Sequence, residues 1–302
     1  MIHSSVLITG SSGFIGSRLY SGLSGEISKL DGLSRNEHCD ISFDLSIGNP
    51  SLLNYEMVVH CAGKAHSNDK WSHSDYSKDI AITQNLLSSL SKTPPKCFIY
   101  LSSVSVYGIT KGYMIDEHSE TNPMDLYGKS KLYSEKIILD WCKNHGVSFL
   151  ILRLPLVIGK SAPGNFGKLM SAIKGKRFFL ISGNNALKSM VLIDDLISLI
   201  KQQLISGVTC SGIYNLTDGT QIGFNSFVIK LCESNGFSPP ITLPSFFVKS
   251  LAMIGSIFPY SPFNMGTYSK MTSTLTFSSN KAENNLNWRP SAVIDNLNNL
   301  IA

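Results

Sequence analysis

Residues 9–16 read TGSSGFIG and follow the apolar run VLIT at 6–9 without a break. Gly10, Gly13 and Gly16 remove side chains where a strand must turn sharply into a helix. The spacing lets the backbone approach a pyrophosphate, while the amides and positive dipole end of the next helix face that anion. Strand, turn and helix in this order predict an open α/β sheet carrying a dinucleotide; a glycine triplet alone is also compatible with a bare turn.

The following stretches repeat the pattern. Apolar runs at 56–61 (EMVVHC), 97–101 (CFIYL) and 148–152 (SFLIL) alternate with helical periodicity near 16–23, 79–90 and 127–143. Repeated βαβ units with continuously apolar strands predict a parallel sheet covered on both faces, a Rossmann-type doubly wound α/β fold. After about Gly159, Pro and Gly collect at 162–167 (APGNFG), 238–240 (SPP) and 259–263 (PYSPF), which predicts a smaller, loop-rich C-terminal substrate lobe. The expected division gives 1–158 to the dinucleotide-binding domain, with 187–218 returning to it, and 159–186 with 219–302 to the lobe.

Composition excludes several classes. The 302 residues are 43% hydrophobic, enough for a large core, and the net charge of +5 is dispersed, with KGKR at 174–177 its longest basic run. Nucleic-acid binding is not expected, whereas an anionic small molecule suits the balance. The six cysteines (39, 61, 97, 142, 210 and 232) show no CxxC pair and no His at ligand spacing. They read as buried free thiols in a reducing compartment, with no metal site. Residues 1–16 show no charged leader or cleavage site, so a cytoplasmic location is expected. The apolar stretch 246–258 contains Lys249 and is too short to span a bilayer. It reads as a core helix, with a membrane-surface helix as the alternative.

The end of the second strand selects the cofactor. Residues 27–37 read ISKLDGLSRNE. A strand ending at Leu33 leaves Ser34 and Arg35 for the 2′-phosphate of NADP, whereas one ending at Leu30 leaves Asp31 for the ribose of NAD. The first is favoured, making NADP(H) the preferred cofactor and NAD(H) the alternative. Asp44 and Leu45, after Phe43, are expected beside the adenine.

Chemistry is expected at 126–136, LYGKSKLYSEK, where Tyr127 and Lys131 share one helical face. Tyr107 and Lys111 have the same spacing, but they follow a strand into a glycine-containing turn. The strand 97–101 opens into Ser102 and Ser103 at its carboxyl end, where open α/β sheets bind ligands.

TGSSGFIG, SSVSVYG at 102–108, YGKSK at 127–131, LRLPLVIG at 152–159 and LNWRP at 286–290 occur in this order over nearly the whole chain. Together they resemble the extended short-chain dehydrogenase/reductase family of sugar-nucleotide epimerases, dehydratases and reductases. The resemblance implies that Tyr127 is the acid/base, that Lys131 holds the nicotinamide ribose and lowers the phenol's pKa, and that Ser103 orients the substrate oxygen. Ser102 is then a neighbour of the cofactor. The resemblance also places Ser12, Phe14, Ile15, Cys61, Ala62, Gly63 and Leu154 around the cofactor, and Val104, Asn165 and Lys188 near the substrate.

Similar 4,6-dehydratases carry an Asp-Glu pair where this chain has Val104 and Ser105, so dehydration is not expected. Residues 162–176 look like the corresponding segment of bacterial reductases acting on 4-keto UDP-N-acetyl-6-deoxyhexoses. The expected function is therefore NADPH-dependent 4-ketoreduction of a UDP-sugar for surface polysaccharide. The alternatives are a UDP-sugar 4-epimerase that retains NAD and, in another class, a non-catalytic NADP-sensing regulator. Similar enzymes pair as homodimers through the helices at 79–90 and 127–143. Asp79 replaces an asparagine that relatives carry at a helix start, where it is expected to cap the helix. His60 and His66 read as structural.

Overall fold

The computed structural model describes residues 2–52, 54–64, 71–206, 211–258, 261, 263–298 and 300; His66 and Cys210 lie outside them. Seven strands, β1 (Ile2–Thr9), β2 (Ile27–Ser34), β3 (Ile41–Ser42), β4 (Met57–His60), β5 (Cys97–Ser103), β6 (Ser148–Leu154) and β7 (Gly212–Asn215), form one parallel sheet. Their order is β7-β6-β5-β4-β1-β2-β3, so the direction of winding reverses between β1 and β4. A crevice must open at that reversal, beyond the carboxyl ends of the strands.

Each strand turns alternate side chains to opposite faces. Val6, Ile8, Val59, Ile99 and Leu152 pack with Leu19 and Leu23 of α1 (Phe14–Leu23) and with Leu196 and Ile200 of α5 (Ile193–Ser206). Leu7, Val58, Phe98 and Ile151 pack with Leu86 and Leu90 of α2 (His73–Leu90) and with Ile138 and Cys142 of α3 (Leu126–His145). Trp288, from LNWRP, closes the first core, its indole N–H donating to the Thr217 carbonyl at 2.8 Å.

Two expectations about helices are corrected here. α2 begins two turns before Asp79, because the Ser72 hydroxyl accepts from the Asp75 amide (3.1 Å) while the Asp75 carboxylate accepts from the Ser72 amide (2.9 Å). Asp79 therefore caps nothing and lies buried inside the helix. The helix over 246–258 is also not a core element. In α7 (Ser245–Ile257) only Val248, Ala252 and Gly255 are buried, because the lobe offers it a single narrow seat.

The lobe contains a four-stranded sheet (Gly112–Ile115, Leu187–Lys188, Ile222–Gly223 and Leu275–Phe277), two of whose strands come from 1–158 and 187–218, the stretches expected in the dinucleotide-binding domain, with α4 (Gly164–Lys174), α6 (Phe224–Ser234), α7 and α8 (Met265–Thr272) around it. Phe166, Leu169, Phe227 and Leu231 join α4 to α6 in a core of their own. Among the described residues no helix is long and apolar enough to cross a membrane, and no His, Cys, Asp and Glu cluster could hold a metal. Cys97, Cys142 and Cys232 are buried free thiols, whereas Cys39 and Cys61 are only half-buried.

Candidate active site

The glycine turn is built for a close approach. Gly10 has φ +69, and a Cβ there would stand 2.7 Å from the Ala62 amide nitrogen; a Cβ on Gly16 would stand 2.2 Å from the Gly10 carbonyl oxygen. A side chain at either position would push the turn, the end of β4 and the start of α1 apart. Over this turn runs a crevice of two connected compartments that share Gly10, Gly13, Cys61, Gly63 and Lys64.

The first compartment, about 460 Å³, contains Ser12, Ser34, Arg35, Asp44, Leu45 and Ala62 in its walls. Strand β2 runs to Ser34, so Ser34 and Arg35 stand at its end. Asp31 sits within the strand, accepting from the Tyr55 phenol and 3.8 Å from the Lys29 ammonium, and does not reach the crevice. The Asp44 carboxylate accepts from the Ser46 amide at 2.9 Å, which with the Arg35 and Lys78 charges holds its pKa below the ordinary range.

The second compartment, about 380 Å³, is lined by Phe14, Ile15, Gly16, Ser102, Ser103, Val104, Tyr127, Lys131, Leu154 and Asn165. Ser103 ends β5, and Tyr127 stands in the first turn of α3, where the Asp125 carboxylate accepts from the Gly128 amide at 2.7 Å. The Lys131 ammonium lies 5.9 Å from the centre of the Tyr127 ring. Burial raises the Tyr127 phenol above its ordinary pKa; the Lys131 charge and a hydrogen bond with Ser103 pull it down, and Asp79 pushes it up. The expected lowering by Lys131 is present, but in the protein alone burial outweighs it.

Lys131 is itself buried. Burial favours its neutral form, yet the Asp79 carboxylate 3.8 Å away and the Tyr100 and Tyr127 phenols more than reverse this, leaving it protonated well above its ordinary pKa. Asp79 also accepts from the Lys64 amide (2.8 Å) and the Ser130 hydroxyl (2.9 Å), so its carboxylate is fixed in place.

The paired serines diverge. The Ser102 hydroxyl donates to Glu135 (2.5 Å), which also receives Nε and Nη2 of Arg153 at 3.0 and 2.7 Å. It serves a buried ion pair, and Ser103 alone of the two shares a hydrogen bond with Tyr127. Tyr107 donates to Asn215 at 2.8 Å beneath Arg153, which removes it from the site.

Lys188 is the one expected substrate contact that does not line the crevice. Its ammonium donates to the carbonyls of Lys270 (2.8 Å) and Ser273 (2.6 Å), closing the C-terminal end of α8. His60 is wholly buried between Thr9 (2.7 Å) and Thr83 (3.1 Å), and burial drives its pKa down to about 3, a structural role as expected. Lys64, Asp79 and Trp71 were not foreseen. Lys64 lines both compartments, and the Trp71 ring packs edge-on against Tyr127 at 5.3 Å.

The glycine cradle and the length of the crevice fit a nicotinamide dinucleotide. Adenosine would rest against Ser34, Arg35 and Leu45, pyrophosphate over Gly10 to Gly16, and nicotinamide beside Tyr127 and Lys131.

In sequence the chain is 27% identical to N-acetyl-alpha-D-glucosaminyl-diphospho-ditrans,octacis-undecaprenol 4-epimerase of Escherichia coli O157:H7, over 80% of this chain and 76% of that one. It is equally 27% identical to UDP-glucose 4-epimerase of Vibrio cholerae, over 95% and 90%. The fold is that of UDP-glucuronic acid 4-epimerase from Bacillus cereus in complex with NAD, with a TM-score of 0.74, 20% identity and 97% and 94% of the two chains covered. RMD from Pseudomonas aeruginosa complexed with NADPH gives a TM-score of 0.72 at 19% identity, with 98% and 97% covered. Residues 6–216 match the model of the NAD dependent epimerase/dehydratase family, and the chain belongs to that family.

Proposed function

We propose that the chain interconverts the C4 epimers of a sugar carried on a diphosphate, with a UDP-sugar as substrate. The observation that carries this reading is the convergence of Ser103, Tyr127 and Lys131 on a crevice that continues past the glycine turn to Asn165. There the first turn of α4, which has no side-chain cap, offers its amides to a diphosphate. The epimerases of E. coli and V. cholerae, aligned over most of this chain, support the same chemistry.

A nicotinamide held beside Tyr127 supplies the acceptor and donor of hydride. Tyr127, as phenolate, takes the O4 proton as the C4 alcohol becomes a ketone and returns it when the ketone is reduced from its other face. Ser103 donates a hydrogen bond to O4, which strengthens as negative charge develops there. Lys131 stabilises the phenolate and is placed to hold the nicotinamide ribose.

A second reading, NADPH-dependent reduction of a 4-keto UDP-sugar, is favoured by Ser34 and Arg35 at the end of β2 and by Asp31 being turned away. Incubating the protein with UDP-glucose or UDP-N-acetylglucosamine and no added cofactor separates the two. Formation of the 4-epimers supports the first reading. NADPH consumption on a 4-keto UDP-sugar, with no epimer formed, would overturn it in favour of the second.

A further inference from the structure

The outer face of α7 is apolar except for Ser250. Its seat, Val248, Ala252 and Gly255, holds it so closely that a Cβ on Gly255 would meet the Phe263 carbonyl oxygen at 1.9 Å. Phe246, Met253 and Ile257 are 75%, 50% and 76% exposed, with Phe247, Leu251, Ile254 and Phe258 beside them. At 100° per residue, Phe246, Met253 and Ile257 point away from the seat together with Ser250, whose hydroxyl donates to the Phe246 carbonyl at 2.9 Å, while Ser245, Lys249 and Ser256 fall along one flank. A helix apolar on its outward face is not built to meet water.

Charge indicates what covers it. The strand Leu180–Ile181 pairs with Thr242–Leu243, just before α7, and the Phe179 ring lies 5.6 Å from that of Phe263. Through Phe179 and Phe263, which meets Gly255, the exposed residues Lys174, Lys176 and Arg177 are joined by a short link to the C-terminal half of α7. Around it, 160–193 and 234–272 contain no Asp or Glu, the nearest acids in sequence being Glu233 and Asp194, and Lys168, Lys174, Lys176, Arg177, Lys249 and Lys270 are exposed. A second copy of the chain seated on α7 would bring like charges together, because a two-fold contact repeats each patch against itself. A bilayer with anionic headgroups matches both the apolar face and the positive surround.

We propose that α7 and the basic run at 174–177 form a surface that docks on a bilayer containing anionic lipid, with Phe246, Met253 and Ile257 entering the headgroup boundary. This surface is independent of the reaction assigned to the crevice.

The test is flotation of the full chain with phosphatidylcholine vesicles that contain or lack phosphatidylglycerol, at low and high salt. Two variants accompany it, Phe246→Asp with Ile257→Asp, and Lys174→Ala with Lys176→Ala and Arg177→Ala. All these side chains are exposed, and dinucleotide binding monitors folding. The expected result is flotation with anionic vesicles that falls about tenfold or more in each variant and weakens in high salt, with dinucleotide affinity unchanged. Flotation that is absent, or the same for wild type and variants or for both vesicle types, would overturn the proposal. So would a dimer in sedimentation velocity that Phe246→Asp with Ile257→Asp dissolves, because a second copy would then cover the face.

Discussion

The Asp79 carboxylate lies 3.8 Å from the Lys131 ammonium, both buried, so the cation beside the candidate catalytic phenol carries its own counter-charge. Among the charges acting on Tyr127, Lys131 favours the phenolate and Asp79 opposes it. The phenol therefore reports a balance between them rather than a lone ammonium.

Asp79→Asn removes a carboxylate that opposes phenolate formation and with it the largest support for the Lys131 charge, whose remaining support comes from Tyr100 and Tyr127. Tyr127 then ionises at lower pH, and the limb of the kcat/KM profile governed by Tyr127 moves to lower pH. A pH-rate profile checks the sign. An unmoved limb would leave Asp79 a purely structural anchor for Ser130 and the Lys64 amide.

Tyr127→Phe removes the proton carrier but not the glycine cradle. Turnover should fall by about 10²–10⁴-fold while dinucleotide affinity is retained, as measured by steady-state kinetics and fluorescence titration. Normal turnover would refute the assigned role.

The two adjacent serines should separate. Ser103→Ala should lower kcat by about 10²–10³-fold with little effect on stability. Ser102→Ala takes a donor from the buried Glu135 and should cost about 1–3 kcal/mol in denaturant unfolding, with kcat nearly unchanged.

Arg35→Ala tests the cofactor. Losing a charged contact to a 2′-phosphate should weaken NADPH by about 1.5–3 kcal/mol and NADH far less. Equal weakening in calorimetric titration would favour NAD as the cofactor.

Lys188→Met should leave KM for the sugar nucleotide unchanged and lower stability by about 1 kcal/mol or more, since two carbonyls at the end of α8 lose their donor. A raised KM would return Lys188 to the substrate site.

What the sequence made legible was local. The glycine turn, the serines ending β5 and the Tyr127 and Lys131 pair each depend on neighbours within a few residues, so strand, turn and helix patterns place them. Distant partners were not legible. Lys188 is claimed by carbonyls more than 80 residues away, and Asp79 was misread because Ser72 and Asp75 start α2 earlier than its apolar pattern does. The apolar residues of α7 do not reveal that only three of them find a seat. Whether β2 ended at Leu30 or Leu33 was open from composition; pairing with β3 at Leu33 and Ser34 carries it to Ser34.

The chain Ser102, Glu135, Arg153, Tyr107 and Asn215 crosses from β5 through α3 and β6 to β7 directly under the crevice. It acts as a keel, a polar tie between the sheet margin and the helix that carries Tyr127, set beside the apolar packing of that helix on the sheet. Remodelling of the lobe for another sugar can thus proceed above a foundation that stays put, whereas loss of the Glu135 and Arg153 pair at the centre of the keel would tilt the acid/base itself.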